Sequence, residues 1–154
     1  MTEPENPRRA ALIQRIQAET GIDEDMIFQL VHAFYGRVRQ DPLIGPVFAA
    51  RISDWEPHLQ RMCEFWSSVM LMSGRYHGAP MPKHAALPID APHFDRWLEL
   101  FTATAHEVCP PAAAERFVER ARLIARSLEM GVANSQGVFL DRTGRFHRTG
   151  SAPE

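Results

Sequence analysis

Four side chains that can ligate a metal or donate a hydrogen bond lie in otherwise apolar surroundings in this sequence: Tyr35, His58, His84 and Trp97. A neutral imidazole nitrogen can ligate a transition metal, and a tyrosine hydroxyl or an indole N–H can donate to a small ligand. Each residue also has an ordinary structural interpretation. A solvated loop histidine is the alternative for His84, and core packing is the alternative for Tyr35 and Trp97.

Sequence patterns of other metal chemistries are absent. The sequence holds no HExxH, no GxGxxG and no Glu-x-x-His, and the last absence argues against a ferritin-like di-iron bundle. Cys63 and Cys109 form neither a CxxC pair nor a disulfide framework. One alternative is a helical protein in which His58 and His84 are incidental or bind zinc. Those histidines are 26 residues apart without a cysteine at ligand spacing, which makes a poor zinc site.

His84 lies in a segment that cannot form a regular helix, "RYHGAPMPKHAALPID", residues 75–90. A short turn fixed by Pro82 and Pro88 can hold one histidine in place without a long helix. Elsewhere, the Phe34–Tyr35 pair and Phe48 offer large aromatic surfaces. Aromatic walls with a few polar groups are what a haem pocket requires, so the sequence favours a haem ligated by His84.

The elements that must position these residues are helices, and the predicted fold class is all-α. Helical periodicity predicts five helices: residues 7–19, one opening near Asp23, one from Ser53 to Gly74, one opening at Asp90 and Pro92, and one from Pro110. Asp23 is a predicted N-cap, and Ser53 with Glu56 has capping-box spacing. The stretch "DPLIGP" is predicted to be a turn that ends the second helix.

Composition sets the broad class of the protein. The chain has 154 residues, 45% of them hydrophobic, and a formal net charge of -2, which suggests neither disorder nor a surface that binds nucleic acid. No apolar run approaches the roughly 20 residues that span a bilayer. The first ten residues lack the apolar core of a signal peptide. We expect a cytoplasmic protein with no membrane or nucleic-acid partner.

Three ordered stretches carry a family resemblance: "FYGRVRQDPLIGPVF", "DWEPHLQRMCEFWSSVMLMSGRYHGAPMPKH" and "FDRWLELF". They closely resemble the group III truncated haemoglobins of bacteria, and the resemblance runs from about residue 26 to residue 128. It implies a two-over-two helical sandwich around haem b, with the usual proximal helix reduced to a turn at the proline-rich segment. A truncated globin domain is expected over residues 1–136, followed by a tail, 137–154, that we expect to be mobile.

The resemblance also assigns roles to residues. It makes His84 the proximal iron ligand, and it places Tyr35, His58 and Trp97 on the distal side, where the ligand binds. His58 has three possible roles: a hydrogen bond to the ligand, a gate that swings out, or direct binding to the iron. The residues predicted to line the haem pocket are Phe34, Phe48, Met62, Phe65 and Trp66. The residues predicted to bind the haem propionates are Arg61, Tyr76 and Lys83.

The expected function follows from the distal donors. Hydrogen bonds from Tyr35 and Trp97 to a ligand that gains negative charge would slow the release of oxygen, which suits redox chemistry better than transport. The predicted ligands are oxygen, nitric oxide, carbon monoxide or peroxide, and an unidentified reductase is the expected partner. Peroxidase-like activity and nitric oxide dioxygenation are the enzymatic possibilities. A gas carrier or sensor without turnover is the alternative.

Overall fold

The computed structural model describes residues 7–78 and 87–148. Those residues form helices and connecting segments, without a strand among them. The helices are α1 Pro7–Thr20, α2 Glu24–Val38, α3 Gly45–Ala49, α4 Trp55–Leu71, α5 Ala91–Val108 and α6 Pro111–Ser135. The all-α prediction is confirmed. Among these helices, none is long and apolar enough to cross a membrane.

Local sequence signals explain where most helices begin. Asp23 caps α2, because its side chain accepts a hydrogen bond from the backbone N–H of Met26 at 2.9 Å. Asp90 is the N-cap residue of α5, and Pro111 stands at the start of α6, where its missing N–H has no helical acceptor to lose. These three starts agree with the prediction from sequence.

Helix α4 differs from the prediction at both ends. Its N-cap is Asp54 rather than Ser53, and the Asp54 side chain makes no capping hydrogen bond, so the predicted capping box of Ser53 and Glu56 is wrong. The helix ends at Leu71 instead of continuing to Gly74, because Met72 adopts a left-handed conformation with φ of 55°. Gly74 also has a positive φ, 72°, and lies in the segment that follows.

Helix α3 differs from the prediction, because the stretch "DPLIGP" indicates only a turn. Gly45 begins this short helix in close contact with the end of α2. A Cβ atom on Gly45 would lie 3.0 Å from the carbonyl oxygen of Val38 and 3.3 Å from that of Arg39. Only glycine fits there without displacing backbone, so the connection between α2 and α3 can be this tight.

The helices pack in two pairs that share one main hydrophobic core. Helix α2 packs against α4, α5 packs against α6, and α2 also contacts α5 and so joins the pairs. The largest fully buried side chains of this core include Phe34 on α2, Phe101 on α5 and Phe117 on α6. Helix α1 has no fully buried residue and lies against α4 at the edge of the fold.

A second, smaller core lies where residues after α6 return to the start of α5. Its centre is Phe146, which is 1% exposed and packs with Ile89, Phe94, Val132 and Ala133. No packing was predicted for residues 137–148. Phe146 is the only buried aromatic residue among them, so these residues have no periodic apolar pattern that would indicate packing.

Candidate haem-binding site

The ring of Tyr35 lies at the centre of an aromatic cluster contributed by α2, α3 and α4. Its centroid is 4.9 Å from that of Phe34, 5.7 Å from Phe48 and 5.1 Å from His58, and each ring meets Tyr35 edge-on. Such edge-to-face contacts fix ring orientation as well as burying apolar area. Tyr35, Phe48 and His58, which the sequence predicts as site residues and which lie on three separate helices, are therefore neighbours.

A buried carboxylate explains how Phe48 reaches this cluster. Asp41 is 5% exposed, and its Oδ2 accepts hydrogen bonds from the N–H groups of Leu43 and Ile44, each at 3.0 Å. Its Oδ1 accepts a 2.7 Å bond from Nε of Arg96 on α5. Burial alone would raise the pKa of Asp41, but these hydrogen bonds and the guanidinium charge outweigh it and lower the pKa. The ionised Asp41 thus ties the turn before α3 to α5.

Trp97 belongs to a second stack of rings that adjoins the first. Its indole stacks on Phe101 with centroids 5.4 Å apart and planes at 12°, and it meets Phe34 edge-on at 5.6 Å. Phe34 contacts both Tyr35 and Trp97 and so connects the two groups. Trp97 is only partly buried, which leaves part of its indole outside the packed core.

The other predicted lining residues of α4 occupy different depths. Trp66 is 3% exposed and stacks on Phe101 at 5.0 Å, inside the main core. Phe65 is partly buried and meets Tyr76 edge-on at 5.3 Å, while Met62 is partly buried against the same core. Tyr76 is held by its backbone N–H, which donates to Oγ of Ser68 at 2.8 Å.

The electrostatic state of Tyr35 suits a hydrogen-bond donor. Burial raises the pKa of the Tyr35 hydroxyl, and the nearby Cys63 raises it further. Burial likewise raises the pKa of the Cys63 thiol, with Arg75 opposing the shift and Glu24 adding to it. Both groups are therefore protonated at neutral pH. A protonated phenol can donate a hydrogen bond to an acceptor beside it.

Trp55 is part of the site but carries no prediction from the sequence. Its ring contacts His58 at 5.6 Å with perpendicular planes, and it also contacts Tyr35 at 6.1 Å and Phe48 at 6.4 Å. The guanidinium of Arg39 lies 4.6 Å from its ring centroid. The available signal was its position three residues before His58, which puts both on one side of α4.

Lys83 and His84 lie outside the residues that the structure describes, so their predicted roles are carried by the sequence and the resemblance alone. Arg61 lies on α4 with its side chain exposed. Over residues 7–78 and 87–148, no group of three or more His, Cys, Asp or Glu side chains could hold a metal ion.

The described residues fit a haem. A planar apolar macrocycle needs aromatic surface to pack on, and the partly buried rings of Phe48 and Trp97 offer it beside a protonated phenol and an imidazole. Phe34, a predicted lining residue, is instead buried in the main core, where it contacts Trp97. The donor set consists of N–H and O–H groups rather than carboxylates. This is the composition expected where a cofactor supplies the metal and the protein supplies hydrogen bonds.

Comparison with known proteins agrees with this assignment. The model of the family described as bacterial-like globin matches residues 18–129. The group 3 truncated hemoglobin ctb of Campylobacter jejuni is 32% identical over 109 residues, covering 68% of this chain and 86% of that protein. The crystal structure of a group III truncated hemoglobin from the same species superimposes with a TM-score of 0.66 at 31% identity, covering 70% of this chain and 89% of the other.

A second solved structure, the truncated oxygen-avid haemoglobin of Bacillus subtilis, has a TM-score of 0.60 at 28% identity and covers 70% of this chain and 94% of the other. The chain therefore belongs to the bacterial-like globin family, and the prediction of a group III truncated haemoglobin is confirmed. Membership implies a haem cofactor with its iron and the binding of small gaseous ligands.

Proposed function

We propose that this protein binds haem b through His84 and carries out redox chemistry on oxygen, peroxide or nitric oxide, using electrons from a reductase. The observation that carries the proposal is the buried, protonated Tyr35 beside His58 and Phe48. A cytoplasmic location is part of the same proposal. When bound, the haem iron supplies the coordination position and the one-electron chemistry, which no side chain can supply.

Tyr35 is the proposed principal donor to the ligand. Its hydroxyl keeps its proton at neutral pH, so it donates a hydrogen bond at an atom that gains negative charge. A hydrogen bond to a charged group contributes roughly 1.5–3 kcal/mol, which corresponds to roughly ten- to hundredfold slower release of the ligand. Slow release argues against transport and favours reaction within the site.

Trp97 is the proposed second donor, through its indole N–H. The stack on Phe101 and the edge contact with Phe34 hold the indole plane, so the direction of that N–H is fixed before the ligand arrives. A preorganised donor loses little conformational entropy when the hydrogen bond forms. Two such donors would slow release further than one.

His58 is the proposed group that moves protons. An imidazole ring nitrogen can accept a proton or donate one, and the ring of His58 contacts both Tyr35 and Trp55. In peroxide chemistry it would accept a proton from one oxygen atom and return it to the other. At the rim, Arg61, Tyr76 and Lys83 would pair with the haem propionates.

Turnover separates the proposed enzyme from a carrier or a sensor. Nitric oxide dioxygenation consumes one nitric oxide, one oxygen and one electron and gives nitrate, so the assay supplies a reductant and measures nitrate. A parallel assay measures peroxide-dependent oxidation of a dye. We expect turnover by at least one assay well above that of free haem. Binding without turnover in both assays contradicts the proposal and leaves a carrier or sensor.

A matched pair of variants ties any turnover to the site. His58→Gln should lower the rate of peroxide turnover by about tenfold to a hundredfold, because proton transfer is lost. His106→Gln changes an exposed histidine on α5 and should leave the rate unchanged. Equal rates in both variants and the parent protein would remove His58 from the mechanism.

A further inference from the structure

Residues 138–148, here called the return segment, fold back from the end of α6 to the beginning of α5. The reversal starts at Gly137, whose φ of 81° requires glycine, and the N–H of Val138 donates to the carbonyl of Ala133 at 2.9 Å. A second turn follows at Asp141, whose Oδ1 accepts from the N–H of Gly144 at 2.7 Å. The segment therefore has a defined path.

A buried aromatic side chain anchors the return segment. Phe146 is 1% exposed and packs in the second core with Ile89 and Phe94, and Leu87 packs against the same cluster. Leu87 and Ile89 belong to the last residues before α5. The segment thus contacts the C-terminal end of the proline-rich stretch through side chains.

A buried carboxylate fixes the same segment a second time. Glu129 on α6 is 2% exposed, and its Oε2 accepts from the N–H of Phe146 at 2.8 Å and from Nε of Arg145 at 3.0 Å. Arg145 also donates to Asp95 on α5 at 2.7 Å. Because Glu129 is paired with a guanidinium and hydrogen-bonded by a backbone amide, its charge is compensated in the interior.

Backbone hydrogen bonds complete the connection to the first turn of α5. The N–H of Ala91 donates to the carbonyl of Phe146 at 2.7 Å, and the N–H of Arg148 donates to Oδ2 of Asp90 at 3.1 Å. The first N–H groups of a helix have no acceptor within the helix, and here the carbonyl of Phe146 in the return segment is the acceptor for Ala91. Residues more than 50 positions later in the sequence therefore hold the segment from Leu87 to Ala91.

We infer that the return segment is a brace that positions the predicted proximal ligand. His84 stands three residues before Leu87, so the point where the return segment fixes the chain limits the positions His84 can take. The inference rests on the proposed function, since it needs His84 to ligate haem. The brace lies beyond residues 18–129, which the family model covers. Arg145 and Phe146 are thus positioning residues and do not touch the ligand.

The test compares Phe146→Ala and Arg145→Gln with two controls. Phe139→Ala changes a residue of the return segment that is 82% exposed, and Val118→Ala removes buried methyl groups of α6 in the main core, away from the brace. The readout is the iron–histidine stretching band in the resonance Raman spectrum of the ferrous protein, recorded just after photolysis of carbon monoxide. Loss of haem to apomyoglobin is measured in parallel.

We expect both brace variants to shift or broaden the band and to lose haem on the order of tenfold faster, while both controls keep the parent band. Arg145→Gln keeps an unbranched polar side chain but removes the guanidinium that pairs with Glu129 and Asp95, and it serves if Phe146→Ala does not fold. An unchanged band in a folded brace variant overturns the inference, as does an equal shift in Val118→Ala, which would make the effect one of general destabilisation.

A readout that does not need haem separates this inference from the proposed function. Hydrogen exchange at the Ala91 amide of the apoprotein should be slow in the parent and faster in both brace variants, because its acceptor is the carbonyl of Phe146. A parent protein that takes up no haem contradicts the proposed function and the inference together. A parent with a normal iron–histidine band that the variants do not alter contradicts the inference alone.

Discussion

The imidazole of His58 and the phenol of Tyr35 meet at nearly a right angle, with ring centroids 5.1 Å apart and planes at 86°. The two residues come from different helices, α4 and α2, and the ring of Trp55 contacts both of them, with its centroid 5.6 Å from that of His58 and 6.1 Å from that of Tyr35. This contact places a group that can move protons beside a group that holds one. The pairing would let one site both hold a ligand by a hydrogen bond and exchange protons with it.

Replacing the tyrosine tests the proposed principal donor. Tyr35→Phe keeps the ring that packs on Phe34, Phe48 and His58 but removes the hydroxyl. We expect oxygen to dissociate roughly ten- to hundredfold faster in stopped-flow measurements, since one charge-assisted hydrogen bond is lost.

The only other tyrosine in the chain provides the matched control. Tyr76 packs against Phe65 and is not among the predicted donors to the ligand. Tyr76→Phe removes a predicted propionate contact and should change haem retention rather than the oxygen dissociation rate. If Tyr35→Phe has the parent rate, or if the two variants change it equally, Tyr35 is not the donor.

Trp97 allows a separate test of the indole N–H. Trp97→Phe retains an aromatic ring that can stack on Phe101 while removing the donor. We expect oxygen dissociation to be about tenfold faster, with little change in thermal stability.

Trp66 serves as the comparison for Trp97, because its replacement should lower stability and leave oxygen dissociation unchanged. It lies inside the main core between Phe101 and Phe117, so Trp66→Phe should lower the free energy of unfolding by about 1–3 kcal/mol. The oxygen dissociation rate should stay near that of the parent. A large rate change in Trp66→Phe without one in Trp97→Phe would reverse the two assignments.

Asp41 predicts a pH dependence of stability. Hydrogen bonds from Ile44, Arg96 and Leu43 lower its folded-state pKa despite burial, whereas its pKa in the unfolded chain is about 3.9. The folded state therefore binds fewer protons than the unfolded state around that pH. The contribution of Asp41 is fully present above the unfolded pKa and is lost as pH falls through the folded pKa.

Denaturant titrations at pH 7 and at about pH 3 should reveal this contribution. We expect Asp41→Asn to be less stable than the parent by about 2–4 kcal/mol at pH 7 and the difference to shrink at low pH. Asp25, which is exposed on α2, supplies the control Asp25→Asn, with a small effect at both pH values. A difference for Asp41→Asn that is constant with pH would mean that its charge is not what holds α3.

Local signals in the sequence predict the parts of the fold that local chemistry determines. Asp23 begins α2 because its carboxylate caps a neighbouring amide, and Pro111 begins α6 because proline fits a first turn. Both interactions involve residues only a few positions apart. The periodic apolar faces of α2 and α5 likewise predict burial of Phe34 and Phe101.

The features that were missed depend on distant contacts. Helix α3 forms where Asp41 reaches Arg96, 55 residues away, and five residues carry too little periodicity to indicate a helix. Phe146 is buried only because Ile89 and Phe94 come to it from elsewhere in the chain. Trp55 joins the site through Tyr35 on another helix, which no local pattern indicates.

The absorption spectrum of the purified protein, in ferric, ferrous and carbon-monoxide-bound forms, tests the central claim most directly when His84→Ala is measured beside it. His147→Ala, which changes an exposed histidine of the return segment, is the control. We expect a Soret band in the parent and the control that His84→Ala loses or shifts. A parent that haem cannot reconstitute, or a His84→Ala spectrum identical to that of the parent in all three forms, would contradict it.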